Sequence, residues 1–238
     1  MQHEFLSRLS TSVQEFIHEI EDQTGIDIQV VPSPELNRGG PTGTGNLEIV
    51  INAQSVQLFA PTHGYFPDGA VRHEILHVQR FHIQGVPKLV LAEEAPWDRG
   101  FSDALGALDN AIEHVLIVPV ELQFHPERRE HWESVMQSVC LGMTNVPKEE
   151  RRLAVCMHWT FLRHVMPNSP QTDFMRSYAR HHNLLDAADD FADKFLAAAG
   201  SKEEIVQILF LSCPEIPRDR AALEYISSST GTRQMPIP

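Results

Sequence analysis

The residues of this chain whose types and spacing suit them to chemistry are His73, Glu74 and His77. In a helix, positions four apart differ by about 40° around the axis, so the two imidazoles share one stripe. Two nitrogens on that stripe can reach a single zinc ion, and a glutamate beside the first histidine can handle the protons of a zinc-bound water. With His73 at zero, Ala70, Val71, Ile75, Val78 and Phe81 occupy roughly 60° to 200°, while Leu76 and Ile83 flank the stripe on its other side. Glu74 lies near 100°, inside the apolar sector, where an unpaired carboxylate is costly. That position argues against a plain surface role. The competing reading is a pair of hydrogen-bonded core histidines beside a buried, salt-bridged glutamate.

The elements that must position this box can be followed along the chain. Phe5, Leu6, Leu9, Val13, Phe16, Ile17 and Ile20 recur at helical spacing between residues 3 and 24, and Gly25 supplies a stop. Residues 26 to 31 alternate as a strand ended by Pro32 and Pro34; residues 46 to 52 and 55 to 60 give two more strands. The glycine-rich stretch between Asn37 and Asn46 lacks the Gly-Lys-Ser/Thr of a phosphate loop and precedes a strand, so it is a connection or hairpin tip. Before the box, the loop 61–67 carries His63 and Tyr65, two candidate donors to an oxyanion. Asp68 can cap the box helix, and Gly85 with Pro87 can stop it.

A catalytic zinc needs a third protein ligand. His82 lies on the opposite face of the box helix, near 180°, and cannot serve. Glu93 and Glu94 fall in an acidic turn best read as solvated. The next helix offers more. Phe101, Leu105, Leu108, Ile112 and Val115 form one apolar stripe, with a stop expected near Pro119. Glu113 stands at the edge of that stripe as the candidate third ligand, Asp109 one turn earlier as a partner for a ligand histidine, and His114 as the alternative ligand.

Composition bounds the rest. The chain has 238 residues, 42% of them apolar, enough for a proper core. Its 19 basic residues against 32 acidic ones, net charge -13, argue against a nucleic-acid surface and against an anionic membrane. No run of eighteen apolar residues and no leader-like N-terminus are present, so a soluble cytoplasmic protein is expected. Cys140, Cys156 and Cys213 are widely spaced, with no Cys-x-x-Cys, and suggest buried small hydrophobes rather than a disulfide or thiolate site.

A helix and small sheet leading into His-Glu-x-x-His, followed by a helix that bears a glutamate, resembles the zincin metallopeptidases of the gluzincin type. The resemblance covers about half the chain. It implies zinc held by His73, His77 and Glu113, Glu74 as general base, and a peptide or protein substrate. The fold expected is α+β and mostly helical: a zincin-like core over residues 1 to 122, a helical part over 123 to 226 that includes a last helix near 218 to 228, and a flexible tail over 227 to 238. An extended substrate would add to the sheet along residues 55 to 60. Two other classes remain: a zinc hydrolase of a non-peptide amide, and a non-catalytic module whose metal site is structural or vestigial.

Overall fold

In the computed structural model, residues 1–34, 36, 47–61, 68–227 and 230–238 are described. The chain is α+β and mostly helical. No helix among the described residues is long and apolar enough to cross a membrane. Contacts divide it into two units, neither contiguous in sequence: one of residues 1–86, 120–128 and 225–233, the other of 87–119, 129–224 and 234–238.

The first unit begins with a short helix, α1 (His3–Leu6), and then α2 (Thr11–Thr24). The periodicity had predicted one helix; the chain breaks it at Ser10, whose backbone amide donates to the Asp68 carboxylate at 3.1 Å. Gly25 ends α2 with φ of 67°, a left-handed conformation that glycine adopts without the Cβ penalty. Strands β1 (Ile28–Ser33), β2 (Glu48–Asn52) and β3 (Ser55–Pro61) form a sheet in the order β1-β3-β2, with β1 parallel and β2 antiparallel to β3. Pro32 sits within β1, and its missing N–H is tolerated because β1 is an edge strand. Register places Ile28 and Ile51 beside Val56, and Val30 and Ile49 beside Leu58. The central strand is therefore β3, paired on both sides. Residues 55 to 60 cannot accept a further strand, and the expected substrate edge is corrected on that ground.

The box helix, α3 (Asp68–Val78), packs Ala70, Val71, Ile75 and Val78 into the core with Val13, Ile17 and Ile20 of α2 and Val56 and Leu58 of β3. Each such aliphatic side chain, fully buried, contributes about 1.5–3 kcal/mol, so α3 is held by packing rather than by propensity. Its last turn continues as a π-helical turn, Gln79–Ile83, which returns Phe81 to the same core.

β4 (Lys88–Leu91) pairs antiparallel with residues 221–224 of β5 (Ala221–Ser227), in a three-stranded sheet ordered β4-β5-β6 with β6 (Gly231–Pro236). Here the sequence reading is corrected twice. Where a helix over 218 to 228 is expected, Arg218–Arg220 form a 3-10 turn and Ala221–Ser227 a strand, whose residues Ala221 to Glu224 pair with Leu91 to Lys88 of β4. The expected tail is largely β6. Helices α5 (Arg129–Gly142), α6 (Arg151–Val165), α7 (Pro170–His181), α8 (Leu185–Ala197) and α9 (Lys202–Ser212) follow the expected helical run. Ser169 and Ser201 accept from the amides of Thr172 and Glu204, capping α7 and α9. All three cysteines are buried thiols, as the composition suggested.

One helix belongs to both units: α4 runs Arg99–Phe124, straight through Pro119. The expected stop at that proline does not occur. The ring removes one backbone bond without ending the helix, and Val120 to Phe124 become helical.

Candidate metal centre

His73 and His77 are both buried, 5% and 6% exposed, and their rings meet edge-on with centroids 5.1 Å apart. His77 stacks on Phe81 at 6.1 Å, so the π-helical turn supplies an apolar wall to the second histidine. The spacing argument thus placed both rings correctly on one stripe.

The residue that orients His73 is Glu121. Its Oε2 lies 2.9 Å from Nδ1 of His73, and its Oε1 accepts from Nε of Arg128 at 2.6 Å. Burial alone would raise this carboxyl, but the bond from His73 and the charges of His73 and Arg128 outweigh it and hold Glu121 at about 2. Because the carboxylate only accepts, Nδ1 of His73 carries the proton and donates. When the ring is neutral its lone pair is therefore on Nε2, the tautomer that ligates a metal. A carboxylate behind a ligand histidine is the arrangement that fixes ring orientation in zinc sites.

Glu74 is partly buried. Burial lifts its carboxyl to about 7; His73 and Arg128 act against the rise, and Glu121 and Glu48 add to it. A carboxyl at that level exchanges protons near neutral pH.

A second layer supports this arrangement. Arg72, 6% exposed, lies between the rings of Phe16 and Phe124, at 4.7 and 4.3 Å. It donates from Nη2 to the carbonyl of Ser12 and from Nε to Nε2 of His125. Burial lowers its pKa, with Asp68 acting against the fall. His125 in turn contacts Glu127 through Nδ1 at 3.1 Å. α3 approaches this segment closely at Gly69, where a Cβ would stand 2.5 Å from Cγ of Arg128 and 2.9 Å from Cβ of His125.

His63 and Tyr65 lie outside the described residues. Asp109, Glu113 and His114 belong to the second unit. There Glu113 is fully buried and its Oε1 takes the ammonium of Lys202 at 2.7 Å. Asp109 takes the same ammonium at 2.6 Å and accepts from the amide of Leu89 at 2.7 Å. A cation on Glu113 would have to displace a fully buried lysine. His114 stacks edge-on against Trp132 of α5 at 5.0 Å.

Sequence reasoning missed Glu121 and Arg128, because the stop expected at Pro119 removed residues 120 to 124 from the helix. The available signal was spacing. Seven residues separate His114 from Glu121, about two turns, so they share a stripe of α4 if the helix is continued through the proline. No known family model, curated protein or solved structure matches this chain.

Proposed function

We propose that the chain is a zinc-dependent hydrolase of the His-Glu-x-x-His type acting on peptide bonds, with a zincin-like arrangement around α3. The observation that carries the reading is the bond from His73 Nδ1 to an ionised, arginine-anchored Glu121, which leaves Nε2 of His73 as the ligating nitrogen.

We assign the ion to His73 and His77 of the first unit, with the third ligand taken from the two that the sequence offers on α4, Glu113 and His114. His114 is preferred to Glu113 because Glu113 is already the partner of Lys202. It also shares its stripe of α4 with Glu121. Three nitrogens of this kind suit zinc and leave a fourth position for water. A zinc ion held there would supply a more acidic water and a Lewis acid for a carbonyl oxygen. Glu74 takes a proton from the attacking water and returns it to the departing nitrogen, a role suited to a carboxyl lifted to about 7. Glu121 and Arg128 hold His73 in place and touch no substrate.

Elemental analysis and a peptide-library cleavage assay test the reading together. Wild type is expected to hold about one zinc per chain and to cleave peptides. His73→Ala and His114→Ala lose the metal, Glu113→Gln keeps it, and Glu74→Gln keeps it while losing cleavage. A wild-type protein that will not take up zinc overturns the proposal. A fully loaded protein in which Glu74→Gln leaves cleavage intact overturns the assigned base.

A further inference from the structure

The second unit contains a cavity of about 1210 Å³, formed by the loop after β4, the segment between α9 and β5, and the end of β6. Phe210, Ile216, Ala221, Ala222 and Ile237 give it an apolar floor. Its size exceeds the roughly 300–1,000 Å³ of small-ligand clefts and is on the scale of a peptide segment.

The charges around it are uneven. Glu93, Glu94 and Asp219 line the cavity, all exposed, and none makes a salt bridge among the described residues. Of the two arginines that line it, Arg220 is paired with a carboxylate, while Arg218 is held by backbone carbonyls and keeps its charge, so three carboxylates face one cation. Arg220 donates to Asp98 at 2.9 Å and lies over the ring of Phe101 at 4.6 Å. Its guanidinium holds the Asp98 carboxyl below the usual range. Arg218 donates from Nη2 to the carbonyl of Ile237 at 3.0 Å. What remains is an apolar floor with an acidic rim.

Exposed apolar side chains adjoin its lining. Trp97, which directly follows the lining residue Pro96, is 77% exposed, and Met235 of the lining is 37% exposed. Isolated exposed apolar residues need no explanation, but these two adjoin a preformed acidic-rimmed cavity with an apolar floor, which points to a surface that is covered in use. The cavity is also preformed. Gln234 accepts from the amide of Glu93 at 2.9 Å and donates to the carbonyl of Leu91, pinning the acidic loop against β6. A pinned loop lowers the ordering cost of binding.

We propose that this cavity is a docking site for an extended peptide segment that carries lysine or arginine next to bulky apolar residues. The apolar side chains enter the floor, the cations meet Glu93, Glu94 and Asp219, and Trp97 closes over the segment. The site is independent of the metal centre, and its occupancy requires no hydrolysis.

Trp97 provides the readout. Of the three tryptophans it alone is exposed, Trp132 and Trp159 being 4% and 3% exposed, so it dominates any ligand-induced change in emission. The full-length protein is titrated with acetyl-Leu-Lys-Pro-Leu-Lys-amide at low salt, with a chelator present so that cleavage cannot consume the probe. A saturable blue shift is expected, absent with the peptide in which glutamate replaces both lysines. The triple variant Glu93→Gln, Glu94→Gln, Asp219→Asn should bind about tenfold more weakly, each exposed ion pair contributing a factor of a few. Calorimetry with Trp97→Ala gives a second measure of affinity, which should fall. No saturable shift at millimolar probe, or equal affinity in the folded triple variant, overturns the proposal.

Discussion

At the scale of single residues, the metal centre depends on which nitrogen of His73 holds the proton, and Glu121 decides that. In Glu121→Gln the side chain is neutral and can present either an acceptor or a donor to Nδ1, so tautomer control weakens. Zinc affinity should drop by about 10- to 100-fold, the usual effect of losing a carboxylate behind a ligand histidine. Unchanged affinity, measured by competition with a chelator, would remove Glu121 from the site. The sequence alone revealed His73, Glu74 and His77, because their relation is local and set by helix periodicity. It did not reveal Glu121, whose relation to His73 spans 48 positions. A second residue-scale effect concerns pH. Burial pushes His158 of α6 down to about 4 from an ordinary value near 6.5, and the neutral ring is thus the form the folded state prefers. The unfolded chain binds the proton more readily between those values, so stability is fully present above about 6.5 and falls as pH drops toward 4, by up to about 3 kcal/mol. In His158→Gln, denaturation midpoints between pH 4 and 7 should lose that part of their slope. If the two profiles stay parallel, His158 is not the group responsible.

At the scale of elements, the fold depends on how closely α3 approaches the end of α4. Gly69 is needed there for space and not for backbone freedom, since a Cβ would press against Cγ of Arg128, an atom close to its own backbone. Gly69→Ala should therefore destabilise the protein by about 1–3 kcal/mol, in contrast to the small gain the substitution normally gives inside a helix. It should also shift Arg128 and so loosen its bond to Glu121. Denaturant unfolding of the variant checks the sign, and a gain in stability would show that the contact is relieved elsewhere. Elements held by local pattern were legible: β2, β3 and the box helix with its glycine stop all lie near the expected positions. Elements set by distant partners were not. Residues 221 to 227 carry a pattern ambiguous between helix and strand, and pairing with β4, more than a hundred residues earlier, selects the strand. At Pro119 the rule that proline ends a helix was applied too strictly, for α4 gives up one backbone bond and continues.

At the scale of the whole molecule, the division of the chain differs from the sequential one that composition and motif order suggested. A boundary near residue 122 matches a point where the helical pattern looks interrupted, yet it cuts through α4 and separates Glu121 from Arg128. The first unit also takes residues from 225 to 233, and Ile226, 6% exposed, lies in the same core as Val13, Ile17, Val56 and Ile75. A motif scan detects features that are close in sequence, whereas this core is completed by a strand near the end of the chain. The fragment of residues 1 to 122 would lack Arg128, so the buried carboxylate of Glu121 would lose its cation, a loss of about 3–5 kcal/mol for a buried pair. It would also lack Ile226, leaving a gap in the core worth a further 2–5 kcal/mol or so. Together these approach the whole stability of a typical domain. Fragment 1 to 122 is therefore expected to show no dispersed amide spectrum and no cooperative thermal transition, and to hold zinc no more tightly than an unfolded histidine-rich peptide does. A folded, zinc-binding fragment would mean that α1 to α3 and the first sheet suffice, and that Arg128 and β5 contribute little to the unit that contains His73 and His77.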